Sequence, residues 1–495
     1  MSWTLEKLLE KTGFPPPPGA SAARIDGVCY DSRRATAGSL FFALPGAQAD
    51  GAKFAQDAIA RGASAVLSET VIPDCPVPQA LVTNARQAMA DVARTFYGDP
   101  AASLRAVGIT GTNGKTTTAF LVKHLLDAAH LRCGLLGTIR YVIGEESLPA
   151  ARTTPESADV YELFAKMRDA GSRAVAMEVS SHALAQHRVR GVEWDAAVFT
   201  NLTQDHLDYH KTMDAYFDAK ASLFETMYHQ TGKRGKGVIN LDDRYGVRLI
   251  ERLPKPAKPL TYGLGVRADF RAIDATFDVH GTKYKLEARG RQYLVRLPLI
   301  GRFNVYNSLA ALATASALGL ELRAAVQAMA SAPQVPGRLE RVPARRNFAV
   351  YVDYAHTDDA LTNVLSTLRD LGPRRLLVVF GCGGDRDRAK RPLMARAAEQ
   401  LADYAIVTSD NPRTEDPEAI LADIRKGLRG SAHETIVDRR EAIYRAVELA
   451  EEGDIVLIAG KGHETYQEVH GQRTPFDDVS VARNAIAAKP IDIEE

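Results

Sequence analysis

Residues 108–118 read Gly-Ile-Thr-Gly-Thr-Asn-Gly-Lys-Thr-Thr-Thr, between an apolar run at Leu104–Ile109 and a helix-like run carrying Phe120, Leu121, Leu125 and Leu126. The chemistry these types and spacings suit is phosphate binding. Gly111 and Gly114 allow a backbone that turns successive N–H groups inward across Thr112 and Asn113. The following helix adds its positive end, Lys115 a point charge, and Thr116, followed by Thr117, a hydroxyl for Mg2+. The spacing departs from G-x-x-x-x-G-K-[ST], because Ile109 stands at the first glycine position, between Gly108 and Gly111. A P-loop of a particular kind is expected, in preference to a Gly-rich turn with an incidental lysine.

Chemistry on a terminal phosphate also needs metal ligands and an aligned nucleophile. Glu178, in Ala-Met-Glu-Val-Ser-Ser-His, ends an apolar run and suits either a metal-facing carboxylate or a solvated strand edge. His206, in Asp-His-Leu-Asp-Tyr-His, suits either a ligand or a hydrogen-bonded structural imidazole. Lys220, in Phe-Asp-Ala-Lys-Ala-Ser, reads on its own as an exposed helix lysine. Asp410-Asn411-Pro412-Arg413 is a turn signal, but its guanidinium could grip a carboxylate through two parallel hydrogen bonds.

These residues need a scaffold. After Pro15–Pro18, short strand-like runs (27–30, 40–44, 65–67, 80–82) alternate with a helical run at 54–61, the pattern of a small α/β domain. From residue 103, strands expected at 104–109, 174–179, 196–200 and 237–240 are each followed by a polar turn, as in a doubly wound P-loop ATPase domain. Residues 257–300 suggest a β appendage and 304–330 a helical segment. Beyond a Pro-containing link at 332–338, strands at 348–352, 375–380, 405–408 and 455–459 imply a C-terminal Rossmann-like unit, whose four polar loops would emerge on one rim. The expected domains are 1–102, 103–337 and 338–495, all α/β.

The 495 residues carry 45% hydrophobic and 25% charged residues with a net charge of +1. That balance fits a soluble globular protein and supplies no electrostatic case for a nucleic-acid partner. Four scattered cysteines form no C-x-x-C pair, so a reducing compartment is expected. The N-terminus does not read as a signal peptide, and the most apolar helical run, 309–320, is too short to span a bilayer. A cytoplasmic protein without membrane insertion is expected.

With these segments in view, the chain resembles the Mur ligases of bacterial cell-wall synthesis over almost its whole length. The resemblance rests on Tyr-Asp-Ser-Arg at 30–33, the P-loop, Thr-Thr-Pro at 153–155, Met-Glu-Val-Ser-Ser-His at 177–182 and Gln-His-Arg at 186–188. The 201–210 segment, Gly-Arg-Phe-Asn at 301–304, Gly337-Arg338, 352–357 and the loops at 381–391, 410–413 and 460–464 complete it, in the family's order. It implies that ATP phosphorylates the D-glutamyl carboxylate of UDP-N-acetylmuramoyl-L-alanyl-D-glutamate and that an amino acid's amine displaces phosphate. Lys115 would neutralise charge, Thr116 and Glu178 would help hold one Mg2+, and His206 and a carbamylated Lys220 a second. Asn304 would meet the adenine, with Arg338 and Asp353 reaching the nucleotide. Tyr30, Ser32 and the Ala47-Gln48-Ala49 segment would hold the uridine end. Thr153, Thr154, Ser180, Gln186 and Arg188 would line the muramoyl-dipeptide path. Relatives often carry His at 47 and Asn at 152, so no side-chain role passes to Ala47 or Arg152.

The Asp-Asn-Pro-Arg loop resembles the version of the family that adds meso-diaminopimelate, whose second carboxylate Arg413 can pair while an unpaired arginine penalises lysine. Arg386, Asp410, Asn411, Pro412, Gly460 and Glu464 complete that site by resemblance, with Glu464 suited to an ammonium. A monomer is expected. The competing readings are folylpolyglutamate synthase, with the same acyl-phosphate chemistry, and a P-loop switch that hydrolyses ATP without an acceptor amine.

Overall fold

The structure is a computed structural model describing residues 3–46, 50–344 and 346–490. It divides into two compact units: residues 1–273, 286–293 and 306–329, and residues 274–285, 294–305 and 330–495. The division runs through the expected β appendage.

Unit 1 opens with a short pair, β1 (Trp3–Thr4) and β2 (Arg24–Ile25), and a four-stranded parallel sheet in the order β3 (Gly27–Cys29), β4 (Ser39–Ala43), β5 (Ala63–Ser68), β6 (Gln79–Leu81). The main sheet follows, with β7 (Arg105–Thr110), β8 (Cys133–Leu136), β9 (Arg140–Ile143), β10 (Glu146–Pro149), β11 (Ala174–Glu178), β12 (Ala196–Phe199), β13 (Lys236–Asn240), β14 (Leu260–Gly263) and β15 (Phe270–Asp278). Their order is 10-9-8-11-7-12-13-14-15. β9 and β10 form an antiparallel edge; β8, β11, β7, β12, β13, β14 and β15 run parallel. β7 therefore lies between β11 and β12, with Ile109 opposite Glu178 and Thr110 opposite Phe199. Three functional loops thus leave adjacent strand ends, where ligands of open α/β sheets bind. β7 is buried throughout after Arg105 and apolar up to Thr110, as expected of a parallel strand covered by helices.

β16 (Gly281–Ala288) and β17 (Arg291–Leu297) complete the appendage. The helical segment expected at 304–330 is two helices, Arg302–Ala317 and Leu322–Met329. Gly319, with φ of +81°, ends the first helix, a conformation an L side chain adopts only with strain.

Unit 2 holds β18 (Glu340–Val342), β19 (Ala349–Asp353), β20 (Leu376–Phe380), β21 (Tyr404–Val407), β22 (His433–Thr435) and β23 (Ile455–Ala459) in the order 18-19-23-20-21-22, parallel except for β18. A hairpin, β24 (Tyr466–Val469) and β25 (Gln472–Pro475), follows. Alternate strand residues feed two cores. Leu376, Val378 and Phe380 pack with Leu361, Leu365 and Met394, whereas Leu377 and Val379 pack with Ile443, Val447 and Ile486. Truncating such a buried leucine costs about 2–5 kcal/mol, so the rim loops stand on a stiff base.

Candidate active site

The P-loop forms as expected. Gly111 (φ +149°) and Gly114 (φ +85°) are both left-handed, and a Cβ on Gly111 would lie 1.8 Å from Thr200 Oγ1. The helix Lys115–Ala128 starts directly after Gly114. The end of β12 braces the loop: Thr112 N donates to Asn201 O (2.9 Å), Asn113 N to Asn201 Oδ1 (2.9 Å), and Thr200 Oγ1 to Asn113 O (2.6 Å). Lys115 Nζ donates to Gly111 O (2.9 Å) and Thr112 O (2.7 Å). Thr117 is buried.

Thr116, in the first turn of the helix that follows β7, meets Glu178 at the end of the adjacent strand β11. Thr116 Oγ1 donates to Glu178 Oε2 (3.0 Å), as does Thr138 Oγ1 (3.1 Å), while Thr138 N donates to Oε1 (2.9 Å). Glu178 is thus a buried carboxylate among hydroxyls, not a solvated edge. Such an all-oxygen donor set fits a hard cation such as Mg2+.

Lys220 is the clearest departure from its local reading. It is 1% exposed, on the inner face of the helix Met213–His229, and donates to Gly111 O at 2.8 Å. Burial, with Lys115 as a second cause, pushes its pKa well below the usual lysine value. The neutral amine so favoured is the form that adds carbon dioxide. The ammonium would repel a cation; a carbamate there would offer it oxygen. His206 caps a helical turn at φ +53°, its ring 4.9 Å from His182 and 5.9 Å from Tyr216. Burial lowers its pKa, favouring the neutral imidazole a metal requires.

The residues expected along the dipeptide path also come together. Thr153 Oγ1 lies 3.1 Å from Thr138 Oγ1; Thr154 Oγ1 donates to Glu178 O (2.9 Å) and accepts from Ser180 N (3.0 Å). Arg188 donates to Thr154 O (3.0 Å) and Gln186 Oε1 (2.6 Å). Glu156, 4% exposed, receives Arg86 (3.0 Å), Arg152 (2.6 Å) and Arg188 (3.1 Å). Three guanidiniums on one carboxylate leave an excess of positive charge suited to an anionic substrate. Tyr30 donates to Asp159, which also pairs with Arg34 at 2.7 Å, and Ser32 is buried nearby in sequence; Ala47, Gln48 and Ala49 lie outside the described residues.

In unit 2 the four strand-end loops meet. Gly460 N donates to Asp353 O (3.1 Å), Gly384 N to Asn411 O (2.9 Å), and Arg413 Nη1 to Gly384 O (2.6 Å). Arg413 is left-handed (φ +55°) and its N–H pairs with Glu468 O at 2.9 Å. Pro412 is buried beneath it, and a Cβ on Gly384 would stand 1.9 Å from Pro412 O. Gly460, at φ +118°, packs so tightly that a Cβ would lie 2.4 Å from Asp410 Oδ2. Asn411 Nδ2 donates to Glu464 Oε2 (2.7 Å). Arg386 is exposed, donating to Asp385 O at 3.1 Å. Both oxygens of Asp353 accept backbone amides, from Leu339 (2.7 Å) and Ala355 (2.8 Å); Arg338 lies over Tyr354, 5.0 Å from the ring centre. Asn304 is buried, donating to Ile300 O at 2.8 Å.

Local reading missed Thr138, Arg86, Glu156, Asp159, His182 and Lys461. Glu156 directly follows Thr-Thr-Pro and Lys461 lies inside the Gly-Lys-Gly-His-Glu loop, so both were adjacent to recognised motifs; Arg86 and Thr138 carried no such signal.

Fold and site define a P-loop α/β enzyme that carries a second polar loop cluster on a Rossmann-like unit. Residues 24–97 match the Mur ligase family, catalytic domain; 109–315 the Mur ligase middle domain; and 337–462 the Mur ligase, glutamate ligase domain. The chain belongs to the Mur ligase family. It is 48% identical to a UDP-N-acetylmuramoyl-L-alanyl-D-glutamate--2,6-diaminopimelate ligase of Solibacter usitatus, covering 97% of this chain and 98% of that protein. It is 47% identical to the Geobacillus kaustophilus protein of the same name, covering 92% and 94%. A solved structure of a ligase with that name superimposes with a TM-score of 0.73 at 38% identity, covering 99% of each chain.

Proposed function

We propose that this protein joins meso-diaminopimelate to UDP-N-acetylmuramoyl-L-alanyl-D-glutamate in peptidoglycan precursor synthesis, with ATP as co-substrate. A D-glutamyl carboxylate oxygen attacks the γ-phosphorus, the bond from that phosphorus to the β–γ bridging oxygen breaks, and ADP leaves. The amine's lone pair then attacks the acyl phosphate carbonyl; the tetrahedral centre collapses with loss of a proton from nitrogen and of inorganic phosphate. Lys115 and the P-loop amides hold the phosphates and balance their charge. Thr116 and Glu178 would help hold one Mg2+, and His206 and carbamylated Lys220 would help hold or orient a second; when bound, these ions would screen the triphosphate. Arg188 and its neighbours orient the dipeptide. Arg413 pairs the distal carboxylate of the diamino acid, and Glu464 an ammonium. The proposed functional division is 1–102, 103–337 and 338–495, working as a cytoplasmic monomer. Among the described residues no helix is long and apolar enough to cross a membrane.

The observation that carries the choice of amino acid is the meeting of Arg413, Asn411 and Glu464 at the ends of parallel strands, supported by the name the relatives share. The test is ADP release with the nucleotide-dipeptide and meso-diaminopimelate, L-lysine or ornithine in parallel. Release is expected with diaminopimelate, and oxygen-18 from the dipeptide's acid group should appear in the phosphate. Release only with tetrahydrofolate and glutamate, or without any amine, would overturn the reading.

A further inference from the structure

We propose that Lys461 is a positioning residue of the amino-acid site, holding the Asn411 amide and one oxygen of Glu464 so that the other oxygen is presented to an ammonium of the incoming diamino acid. The inference rests on the functional reading above. The Lys461 side chain is 0% exposed, at the carboxyl end of β23. Its Nζ donates to Asn411 Oδ1 at 3.0 Å and lies 3.4 Å from Glu464 Oε2. Glu468 N also donates to Asn411 Oδ1, at 3.0 Å. Two donors on one side determine which end of the amide is oxygen. The Nδ2 end must then face Glu464, where it donates to Oε2 at 2.7 Å.

Glu464 Oε2 thus has two donors, while Oε1 has no hydrogen bond among the described residues, and the side chain keeps 20% exposure. One oxygen is anchored and one is open. Asp410 and Glu464 with Lys461 leave one negative charge beside the self-neutralised Arg439–Asp478 pair, so the cluster attracts a cation even though it contains one. Without the Lys461 ammonium, the Asn411 amide keeps only Glu468 N as an orienting donor and Glu464 Oε2 keeps only Asn411 Nδ2, so the acceptor is held less firmly in the presenting geometry.

The test is Lys461→Met, which retains the apolar stem. KM for meso-diaminopimelate should rise by about tenfold or more, with KM for ATP and for the nucleotide-dipeptide unchanged. If Lys461 acts through Glu464, the same substitution placed in Glu464→Gln should leave kcat/KM nearly as it was. An unchanged KM for diaminopimelate, a uniform fall in every kinetic constant with the melting temperature, or an equally large loss in the Glu464→Gln background would overturn the role. Should Lys461→Met not fold, the comparison of Glu464→Gln with the double variant, which leaves no charge of this pair unpartnered, decides alone. A parent enzyme inactive with diaminopimelate would sink the functional reading; an active parent with an unaffected variant sinks only Lys461.

Discussion

Arg413 and Lys220 show how a single residue's meaning depends on its surroundings. Arg413 Nη1 is anchored on Gly384 O, which aims a planar donor group from the end of a parallel strand. A hydrogen bond to a charged group contributes about 1.5–3 kcal/mol. Arg413→Ala should therefore reduce the kcat/KM ratio for diaminopimelate over lysine by roughly tenfold to a hundredfold, and an unchanged ratio would remove the residue from the specificity argument. Lys220 looks unremarkable in sequence, yet its amine is buried against Gly111 O beside Lys115. Lys220→Ala should lower kcat by about 10- to 100-fold, and short carboxylates such as acetate should restore part of it by supplying the lost oxygens. Failure of every carboxylate to rescue would count against a carbamate.

At the level of elements, the amino-acid loops depend on an ion pair that touches no proposed substrate. Arg439 and Asp478 are both fully buried, with contacts of 2.7 and 2.8 Å. The guanidinium also donates to Ser409 O (3.4 Å), just after β21, and Ala459 O (3.0 Å), at the end of β23. β20 separates those two strands, so Arg439 ties loops that no ladder joins. Arg439→Met alone should destabilise unit 2 by about 3–5 kcal/mol, because Asp478 is left buried and unpaired. Replacing both with apolar residues should recover much of that stability while KM for the amino acid stays raised; urea titration and steady-state kinetics on the same variants separate the two effects.

Across the whole molecule the charge is nearly balanced at pH 7, with a net charge of +1, so near neutrality particular pairs matter more than a global field, and one such pair contributes to acid sensitivity. Glu415 follows the Asp-Asn-Pro-Arg loop and binds Arg391 (2.8 Å), Arg388 (2.9 Å) and the amide of Asp385 (2.6 Å). The Arg391 hydrogen bond, with the Asp385 amide next, holds its pKa at about 2, below the ordinary 4.5. A lowered carboxylate pKa contributes stability that is complete above 4.5 and is lost as pH falls toward 2. The melting temperature of the parent should drop across that interval, and Glu415→Gln should flatten the drop while lowering stability at neutral pH. Equal acid sensitivity in both proteins would show that other carboxylates control it.

What the chain announces by itself is local. Glycine spacing, a lysine before threonine and apolar runs ending in polar turns depend on neighbours a few residues away, so the P-loop, the strands β7, β11, β12, β13, β19, β20, β21 and β23 and the four rim loops of unit 2 were legible, whereas β8, β9, β10, β18 and β22 were not. The helical character of 304–330 was legible too, but its division into two helices at Gly319 was not, because the apolar pattern continues on either side of that residue. Contacts that depend on strand order belong to tertiary structure. Only the placement of β11 beside β7 sets Glu178 against Thr116, only packing buries Lys220, and only convergence gathers Arg86, Arg152 and Arg188 on Glu156. The reason is physical: periodicity reports which face of an element turns inward, whereas the charge, solvation and partners of a side chain are set by distant segments that folding brings against it.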